Sequence, residues 1–448
     1  MQTPQKIAIV GSGLVGTLLA IYLKKLGHTV HVYDRSPDIR KINFSGRSIN
    51  LVMSNRGWRA LEKIGLVDEI KQIGIPVDKR AIHLPHEPLN YQYYGKEGEA
   101  IFSLSRGNLN KKMVDLAEQA GVTFFFNHKV WDVTLNTATL HEGKEERGVW
   151  NELKYDKIFG ADGAFSRVRH RMQRQSMFNY SQEFIPLGYK ELHIPANADG
   201  THKLDKNSLH IWPRGNFMLM ALANPDGTFT CTLFMPHQGE NSFETLKDKS
   251  KLVDFFAEYF PDTKEVLPNL IEDFYRNPTS YLVTMKCYPW AFEDKVALIG
   301  DAAHAIVPFY GHGMNAGFED ITILMEKINQ YGDDWTTIFK EYQLARKPNA
   351  DAIAELSYRN FMEMSAKTAD AKFLLQNKIE KWFSEKHPEK WVPLYSRVTF
   401  SHQPYSEALA IGDFQNQIME QIMQMPDIEN KWNSEEVETK MLNLLQKD

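Results

Sequence analysis

Cysteine is scarce in this chain. The sequence has 448 residues and only two cysteines, Cys231 and Cys287. Neither belongs to a CxxC motif, so the chain lacks the cysteine pair that dithiol redox enzymes need, and one possible disulfide is no framework for a secreted protein. We therefore expect a reducing compartment, namely the cytoplasm.

Long apolar runs and an excess of basic charge are also missing. No stretch approaches the roughly 18 consecutive apolar residues that indicate a transmembrane helix, so we expect no membrane association. Glycines interrupt the apolar residues near the N-terminus, which argues against a secretory signal. The net charge of −5 gives no basic face for nucleic acid, and we expect no nucleic-acid partner.

The N-terminal segment predicts a βαβ unit. Lys6 to Val10 is a short apolar run that predicts a buried strand. Leu14 to Leu26 has apolar residues at helical spacing, with two lysines in its last turn and a glycine after it, which predicts a helix with a normal end. Thr29 to Tyr33 predicts the second strand.

Three glycines in the spacing GxGxxG lie between the first strand and the helix. Gly11 allows a tight turn, Gly13 lets the backbone approach a pyrophosphate, and Gly16 lets the helix pack closely on the strand. Asp34 ends the second strand, where a carboxylate can accept hydrogen bonds from a ribose. The pattern predicts a dinucleotide site at the positive end of the helix, but it does not distinguish FAD from NAD.

The rest of the chain predicts a discontinuous architecture. Alternating patterns at Ser208 to Pro213, Phe217 to Ala223 and Thr228 to Met235 predict antiparallel strands, and a long helical region begins beyond Gly313. We predict an α/β fold in which a discontinuous Rossmann-type FAD-binding unit carries an inserted antiparallel sheet and is followed by a helical C-terminal part. The predicted boundaries are 1–75, 100–180 and 285–345 for the first unit, 76–99 and 181–284 for the sheet, and 346–448 for the helical part.

Two later motifs identify the dinucleotide. Gly160-Ala161-Asp162-Gly163 and Gly300-Asp301-Ala302-Ala303-His304 each follow a predicted strand. With the GxGxxG, in this order, they resemble the class A flavoprotein aromatic hydroxylases of the p-hydroxybenzoate hydroxylase type. The resemblance implies FAD with Asp301 at its ribityl chain, and Asp162 and Gly163 near both FAD and NADPH, although Asp162 alone could mark a plain turn. Further implied FAD contacts are Leu14, Val15, Arg35, Arg47, Val52, Arg106, Val130, Met314 and Asn315.

The segment from Gly311 to Asn315 has its own physical interpretation. Its two glycines permit the backbone to pass close to a flat ring. A helix that starts at Gly313 would point its positive end at that ring, where it stabilises the negative charge of a reduced flavin. We predict that Pro308, His312 and Gly313 form the catalytic edge. The alternative for His312 is a core or surface histidine without a chemical role.

Narrower patterns run along nearly the whole chain. They are Gly46 to Leu51, Leu187 to Leu192, Leu209 to Pro213, Val307 to Phe309, Glu363 to Ser365, and Val398 to Phe400 with Pro404-Tyr405. These stretches are similar to those of the kynurenine 3-monooxygenase family. The resemblance implies hydroxylation of L-kynurenine at C3 to 3-hydroxykynurenine in tryptophan catabolism. NADPH and O₂ would drive the reaction through a flavin C4a-hydroperoxide.

The same resemblance implies a set of substrate contacts. Arg80 matches an arginine that holds the amino-acid carboxylate, a task that suits a bidentate guanidinium. Tyr94, Asn360 and Tyr405 match side chains beside the substrate, although the arginine could be structural and the tyrosines could be packing residues. Alternate strand residues would supply an apolar wall, and the wall and its surroundings comprise Leu209, Met218, Met220, Leu222, Thr232, Phe234, Phe309 and Met364.

Two departures from the family and two alternatives stay open. His312 stands where glutamine is usual, and Tyr310 stands where histidine or phenylalanine is usual, so the regulation of flavin reduction could differ. The chain could also hydroxylate another aromatic acid, or it could be an FAD-dependent reductase without oxygenase activity. We expect no metal ion, and a monomer or a homodimer.

Overall fold

The computed structural model describes residues 3–42, 50–143, 149–364 and 370–446. In chain order the strands are β1 Lys6–Val10, β2 Thr29–Asp34, β3 Asn50–Met53, β4 Gly74–Val77, β5 Lys79–Ile82, β6 Asn90–Tyr93, β7 Ile101–Ser105, β8 Thr123–Phe126, β9 Lys129–Thr134, β10 Thr139–Gly143, β11 Asn151–Lys154, β12 Lys157–Gly160, β13 Asn179–Ile194, β14 Ser208–Arg214, β15 Phe217–Ala223, β16 Phe229–Pro236, β17 Ser280–Tyr288, β18 Ala291–Phe292 and β19 Val296–Leu298.

The α-helices alternate with these strands at first and dominate the C-terminal third. They are α1 Leu14–Lys25, α2 Asn55–Glu62, α3 Val67–Lys71, α4 Arg106–Gln119, α5 Arg167–Met172, α6 Lys249–Tyr259, α7 Leu270–Arg276, α8 Asp301–His304, α9 Gly313–Tyr331, α10 Trp335–Met362, α11 Ala371–Lys386, α12 Leu394–Phe400, α13 Tyr405–Ile422, α14 Ile428–Lys431 and α15 Glu435–Leu445. Short 3₁₀ turns occupy Ile39–Lys41, Leu135–Thr137, Thr245–Lys247, Pro261–Thr263 and Pro308–Tyr310.

A six-stranded sheet in the order β18-β19-β12-β1-β2-β8 carries the N-terminal βαβ unit. Its strands run parallel except for β18, which pairs antiparallel with β19. The strand order reverses at β1, which has β2 on one side and β12 on the other. In open α/β sheets a ligand binds at the carboxyl ends of the strands at such a reversal. The GxGxxG turn lies at this point.

A seven-stranded sheet in the order β17-β13-β16-β15-β14-β5-β6 forms the second layer. It is antiparallel except for the parallel pair β14 and β5. The three strands that the sequence predicted in this region are confirmed as β14, β15 and β16. The α/β fold class is likewise confirmed, whereas the exact unit boundaries stay predictions.

Alternation along β15 separates two apolar cores. Leu219 and Ala221 pack with α6 and α7 on one face of the sheet. Met218 and Leu222 belong to a different cluster on the other face, together with Phe309 of the 3₁₀ turn Pro308–Tyr310. Because successive side chains of a strand point to opposite faces, one face of this sheet is covered by helices and the other faces the six-stranded sheet.

The helices after α9 form most of the C-terminal part of the chain. The helix α10 is 28 residues long and contains Pro348, and α11, α13 and α15 contribute to a separate apolar core around Trp391 and Ile418. None of the described helices combines the length and the apolar composition that crossing a membrane requires.

A buried ion-pair network fixes α9 to its neighbours. Arg346 on α10 contacts Asp320 through Nε at 2.7 Å and Glu319 through Nη1 at 2.6 Å. The second oxygen of Glu319 pairs with Arg56 on α2. Asp320 also contacts His304 at 2.6 Å and accepts a hydrogen bond from the N–H of Gly300 at 3.0 Å.

The charge of Asp320 is stabilised within this network. Burial by itself would raise the pKa of Asp320, but His304 and Arg346 together lower it below its ordinary value. Because the depressed pKa belongs to the folded state, the stabilisation is present above the ordinary carboxyl pKa and is lost as the pH falls below it. The network therefore holds the turn that leads into α8 throughout the neutral range.

Replacement of Arg346 by methionine is expected to lower the free energy of unfolding by about 3–5 kcal/mol, because it leaves Glu319 and Asp320 buried without their main partner. Arg359→Met is a matched control, since Arg359 lies on the same helix and pairs with two carboxylates at the surface. Such pairs contribute only about 0–1 kcal/mol. Denaturant titration measures both values, and equal losses in the two variants would contradict a structural role for the buried network.

Candidate functional site

A central cavity of about 300 Å³ lies between the carboxyl ends of the six-stranded sheet and the open face of the seven-stranded sheet. It brings together side chains that are far apart in sequence. The predicted site residues that line it are Gly13, Leu14, Val15, Val52, Arg80, Tyr94, Arg106, Gly163, Leu209, Met220, Leu222, Thr232, Phe234, Asp301, Pro308, Phe309, Gly313, Met314, Asn360 and Met364.

An outer cavity of about 250 Å³ continues from the central one. Both cavities are lined by Gly13, Ala161 and Gly163, so they meet at the glycine turn. The outer cavity holds a second group of predicted residues, namely Gly11, Asp34, Arg35, Val130 and Asp162. The two cavities form an elongated channel across the carboxyl ends of the parallel strands.

The three glycines of the fingerprint have different local surroundings. Gly11 has a φ of +106°, and a Cβ built there would lie 2.4 Å from the carbonyl oxygen of Ala161. A Cβ on Gly16 would lie 2.1 Å from the carbonyl oxygen of Gly11, whereas a Cβ on Gly13 would meet nothing within 4 Å. The turn itself therefore requires glycine at positions 11 and 16. At Gly13 there is open space, so a ligand can approach the protein backbone closely.

The N-terminus of α1 is available to an anion. Its N-cap residue, Gly13, has no side chain that could satisfy the first N–H groups of the helix. Asp34 accepts hydrogen bonds from the Ser12 N–H at 2.8 Å and from the Ser36 N–H at 2.7 Å, one on each carboxylate oxygen. The Ser12 hydroxyl donates a further hydrogen bond of 2.8 Å to the same oxygen that accepts from the Ser12 N–H. These contacts hold the Asp34 carboxylate at the wall of the outer cavity, where the oxygen bonded to Ser36 keeps a lone pair for a ribose hydroxyl.

Asp162 carries an unused acceptor. One of its oxygens accepts a hydrogen bond from the Arg167 N–H at 2.6 Å, and the other is buried without a partner. Burial raises the pKa of Asp162 above its ordinary value despite these hydrogen bonds. An orphaned acceptor in a cavity wall fits a ligand that donates a hydrogen bond.

Asp301 lines the central cavity close to the glycine turn, since a Cβ built on the preceding Gly300 would lie 3.1 Å from the Val15 side chain. It is the first residue of α8, and the turn before it contains Gly300 with a φ of +61°. The Asp301 side chain is exposed, and it lines the central cavity. The position suits a carboxylate that accepts hydrogen bonds from a polyhydroxylated chain, as the sequence predicted.

The N-terminus of α9 also points to the central cavity. Gly311 and Gly313 line it, and Gly311 has a φ of +72° that permits the backbone to turn tightly there. No side chain caps the helix, so its first N–H groups are free to face a ligand. Asn315 does not line the cavity. It donates hydrogen bonds to the carbonyl oxygens of Val52 and Gly311, and so it holds the turn in place.

His312 is fully buried and does not line the central cavity. Its Nδ1 lies 2.8 Å from the hydroxyl of Tyr405. Burial, with a contribution from nearby Arg56, lowers the pKa of His312 to about 3, so the imidazole is neutral at physiological pH. The Arg56 guanidinium lies 3.8 Å from the centre of the Tyr405 ring. Tyr405 therefore has its hydroxyl and one ring face occupied by protein.

A cation surrounded by aromatic rings lies at the other end of the central cavity. Arg80 on β5 has its guanidinium carbon 5.2 Å from the ring centre of Tyr94 and 4.9 Å from that of Tyr395. The rings of Tyr94 and Tyr395 are stacked at 5.0 Å, and Tyr310 stacks on the other side of Tyr395 at 5.5 Å. Within the described ranges, no carboxylate forms an ion pair with Arg80.

Two polar atoms of this aromatic cluster lack partners. The Nε of Arg80 and the hydroxyl of Tyr94 are buried and find no hydrogen-bond acceptor or donor of standard geometry among the residues that the structure describes. Burial raises the pKa of both Tyr94 and Tyr395 above the ordinary value of a phenol, so both hydroxyls stay protonated. The cluster offers one positive charge and uncommitted donors, a combination that is complementary to a carboxylate.

The apolar wall separates this cluster from the α9 end. Phe309 packs against Phe234 with ring centres 5.1 Å apart. Asn360 donates a hydrogen bond to the Phe309 carbonyl oxygen at 2.8 Å, which fixes both side chains beside the cavity. Met218 belongs to the same apolar cluster but has no surface on the cavity.

Most of the site residues predicted from the sequence line the two cavities. Arg47 and Ser365 lie outside the described residues, and Gly16, Met218, His312, Asn315 and Tyr405 lie behind the cavity walls. Tyr395 and Tyr310 line the cavity but were not predicted as contacts. A usable signal for Tyr395 was its position on α12, the helix that also contains the Val398 to Phe400 pattern.

The comparisons with known proteins agree with this arrangement. Residues 5–357 match the family described as FAD binding domain. The chain is 72% identical over 447 residues to the kynurenine 3-monooxygenase of Flavobacterium johnsoniae, a match that covers 100% of both chains. It is 68% identical to that of Flavobacterium psychrophilum, with 99% of each chain covered.

Solved structures support the fold independently. The 2-methyl-3-hydroxypyridine-5-carboxylic acid oxygenase superposes with a TM-score of 0.68 at 19% identity, over 84% of this chain and 96% of that chain. An identity this low bears on the fold alone. The elongated channel, its open glycine turn and the orphaned acceptor of Asp162 fit FAD, and by its full-length similarity the chain belongs to the kynurenine 3-monooxygenase family.

Proposed function

We propose that this protein hydroxylates L-kynurenine at C3 of its aromatic ring. The overall reaction consumes NADPH, a proton and O₂, and it gives 3-hydroxykynurenine, NADP⁺ and water. The observation that carries the proposal is the Arg80 guanidinium, which contacts two tyrosine rings and has no ion-pair partner among the described residues, in a cavity that the open N-terminus of α9 also lines. A cytoplasmic location and a monomeric or homodimeric state stay predictions from the sequence.

Different residues of the channel would bind different parts of FAD. The α1 N-terminus would hold the pyrophosphate, Asp34 the adenosine ribose, and Asp301 the ribityl chain. Bound FAD, once reduced by NADPH, supplies the electrons that activate O₂. The α9 N-terminus lines the same cavity, and its positive electrostatic potential would stabilise negative charge on a reduced flavin bound there.

Arg80 and the tyrosines hold the amino-acid end of the substrate. An arginine side chain in contact with aromatic faces gains about 0.5–2 kcal/mol, which offsets only part of its lost hydration. A substrate carboxylate would supply the missing ion pair in bidentate geometry, and the protonated hydroxyl of Tyr94 can donate a further hydrogen bond. Binding thus completes a polar cluster that is unsatisfied in the free protein.

The apolar wall positions the aromatic ring and excludes water. With the carboxylate on Arg80, the ring of kynurenine would lie in the part of the cavity that Leu222, Phe234, Phe309 and Gly313 line. The aniline nitrogen of kynurenine donates electron density to the carbon ortho to it, which is C3. The ring is therefore nucleophilic without help from a protein base. Positioning and exclusion of water are the main contributions of the chain.

The proposed reaction is tested by supplying isotopically labelled O₂ to the purified yellow protein with NADPH, with and without L-kynurenine. We expect L-kynurenine to stimulate NADPH oxidation and one labelled oxygen atom to enter the product, as measured by mass spectrometry. Stimulation that yields only hydrogen peroxide would contradict L-kynurenine as the substrate and would favour another aromatic acid. Rapid NADPH oxidation that no aromatic ligand affects would favour a reductase.

A pair of tyrosine variants tests which C-terminal tyrosine serves the substrate. Tyr395→Leu removes a ring that faces Arg80, and we expect it to weaken L-kynurenine binding by about tenfold, the scale of a lost cation–π contact. Tyr405→Phe removes a hydroxyl that contacts His312 behind the wall. We expect it to change the dissociation constant by less than about twofold, because the Tyr405 hydroxyl does not line the cavity and therefore cannot contact the ligand.

Titration of the flavin absorbance with L-kynurenine measures both dissociation constants. A large loss of affinity in Tyr405→Phe with little change in Tyr395→Leu would instead support Tyr405 as the substrate contact.

A further inference from the structure

A histidine with one uncommitted nitrogen lies in the wall of the outer cavity. His128 lies between β8 and β9, and it lines this cavity together with Asp34 and Val130. Its Nδ1 lies 2.8 Å from Oε2 of Glu142 on β10. Among the residues that the structure describes, no group forms a hydrogen bond with its Nε2. This side chain belongs to none of the FAD contacts that the sequence predicted.

The carboxylate of Glu142 determines which nitrogen of His128 carries the proton. Glu142 is 4% exposed, and it does not line the outer cavity. An ionised carboxylate can only accept hydrogen bonds, so the Nδ1 of His128 must be the donor. Because a neutral imidazole has a single N–H, its Nε2 is then an acceptor.

Other side chains hold this histidine and its carboxylate in place. The amide nitrogen of Asn151 on β11 donates a hydrogen bond of 2.7 Å to Oε1 of Glu142. The rings of Tyr33 and Phe125 lie edge to face with the His128 ring, with centres 6.4 Å and 5.7 Å away. The imidazole is thus oriented from several sides, and the edge that carries Nε2 is the one left to face the cavity.

Backbone hydrogen bonds bring His128 next to the carboxylate that would hold the adenosine ribose. The His128 N–H donates a hydrogen bond of 2.9 Å to the carbonyl oxygen of Asp34, and the Asn127 N–H donates one of 3.0 Å to that of Ser36. These bonds join the segment after β8 to the segment after β2. Because the base of a nucleoside is bonded directly to its ribose, a ribose on Asp34 places adenine in the cavity that His128 lines.

The chemistry of adenine fits a single acceptor at this point. An adenine that is attached to a ribose has one N–H donor group, its exocyclic 6-amino group, whereas its ring nitrogens are acceptors. The Nε2 lone pair of His128 can therefore bind adenine only through the 6-amino group. A 6-oxopurine has a carbonyl oxygen at that position, and the two acceptors would repel each other.

We propose that His128 selects adenine over a 6-oxopurine in the dinucleotide cofactor, and that Glu142 and Asn151 fix its tautomer. His128 would contact the base, whereas Glu142 and Asn151 are positioning residues that act through it. The proposal concerns FAD and goes beyond the proposed function, since it holds whichever aromatic acid is the substrate.

The test is an exchange of the cofactor in the holoenzyme. The yellow protein is incubated to equilibrium with equal, excess concentrations of FAD and its hypoxanthine analogue, in which a carbonyl oxygen replaces the 6-amino group. Chromatography of the bound flavins gives their ratio. We expect the wild-type protein to prefer FAD by about tenfold, the scale of one lost hydrogen bond and one unsatisfied acceptor. Equal amounts of the two cofactors in the wild type would overturn the proposal.

Replacement of Glu142 by glutamine tests the tautomer without removing His128. The Asn151 amide N–H keeps the glutamine oxygen on its own side, so the glutamine nitrogen faces Nδ1 and donates to it. His128 then carries its proton on Nε2, where it pairs with a carbonyl oxygen and not with an amino group. We expect Glu142→Gln to bind the analogue at least as well as FAD. A wild-type ratio in this variant would contradict the assigned tautomer and with it the proposal.

Glu152→Gln is the matched control, because it changes a second glutamate that faces a histidine. Oε1 of Glu152 lies 3.8 Å from Nδ1 of His141, and the Glu152 side chain is 70% exposed. Neither residue lines the outer cavity. This variant should therefore keep the wild-type ratio.

A third variant, His128→Phe, removes the acceptor but keeps an aromatic ring beside Tyr33 and Phe125. We expect its preference for FAD to fall to about twofold or less. The ratio separates recognition from a structural effect, since a loosened site would weaken both cofactors alike and leave the ratio unchanged. A preference of about tenfold in His128→Phe would overturn the proposal, because another group would then recognise the base.

Discussion

The site depends on one buried cation for which the described residues supply no ion-pair partner. Arg80 is held against the rings of Tyr94 and Tyr395, and its Nε and the Tyr94 hydroxyl have no partners. Leaving such groups unsatisfied costs about 1–3 kcal/mol each. A ligand carboxylate that supplies the missing ion pair and hydrogen bonds removes this cost, and its binding is stronger by that amount. Selectivity for a ligand that carries a carboxylate follows from this deficit.

The rest of the fold keeps this cation at a fixed place relative to the FAD channel. The helix α9 is central, because its N-terminus borders the cavity while its middle turns carry Glu319 and Asp320. Through Arg346, Arg56 and the Gly300 N–H, these carboxylates connect α10, α2 and the turn before Asp301. The geometry between the two ends of the cavity is thus maintained by buried charges that are fully paired, in contrast to Arg80.

The sequence predicted well wherever a residue's role is set by its own backbone. Gly11 and Gly16 could be assigned because the turn admits no side chain there, and the strands that carry the apolar wall followed from alternation. Tyr395 escaped prediction because it reaches Arg80 from a helix some distance along the chain, and no spacing indicates that contact. Met218 has the correct alternation, but only the three-dimensional structure shows that other side chains cover it. His312 and Tyr405 lie next to the cavity and contact each other instead of lining it.

The most direct test of the account is the dissociation constant of L-kynurenine for Arg80→Met, followed through the flavin absorbance. Two lost charge-assisted hydrogen bonds predict an affinity loss of about 100-fold or more with FAD still bound. Arg80→Lys should recover part of the affinity, because it keeps the charge without the bidentate geometry. Lys79→Met, on the neighbouring position of the same strand, should bind L-kynurenine as the wild type does. Unchanged binding in Arg80→Met would contradict the account, because the unpaired cation would then not be what recognises the substrate.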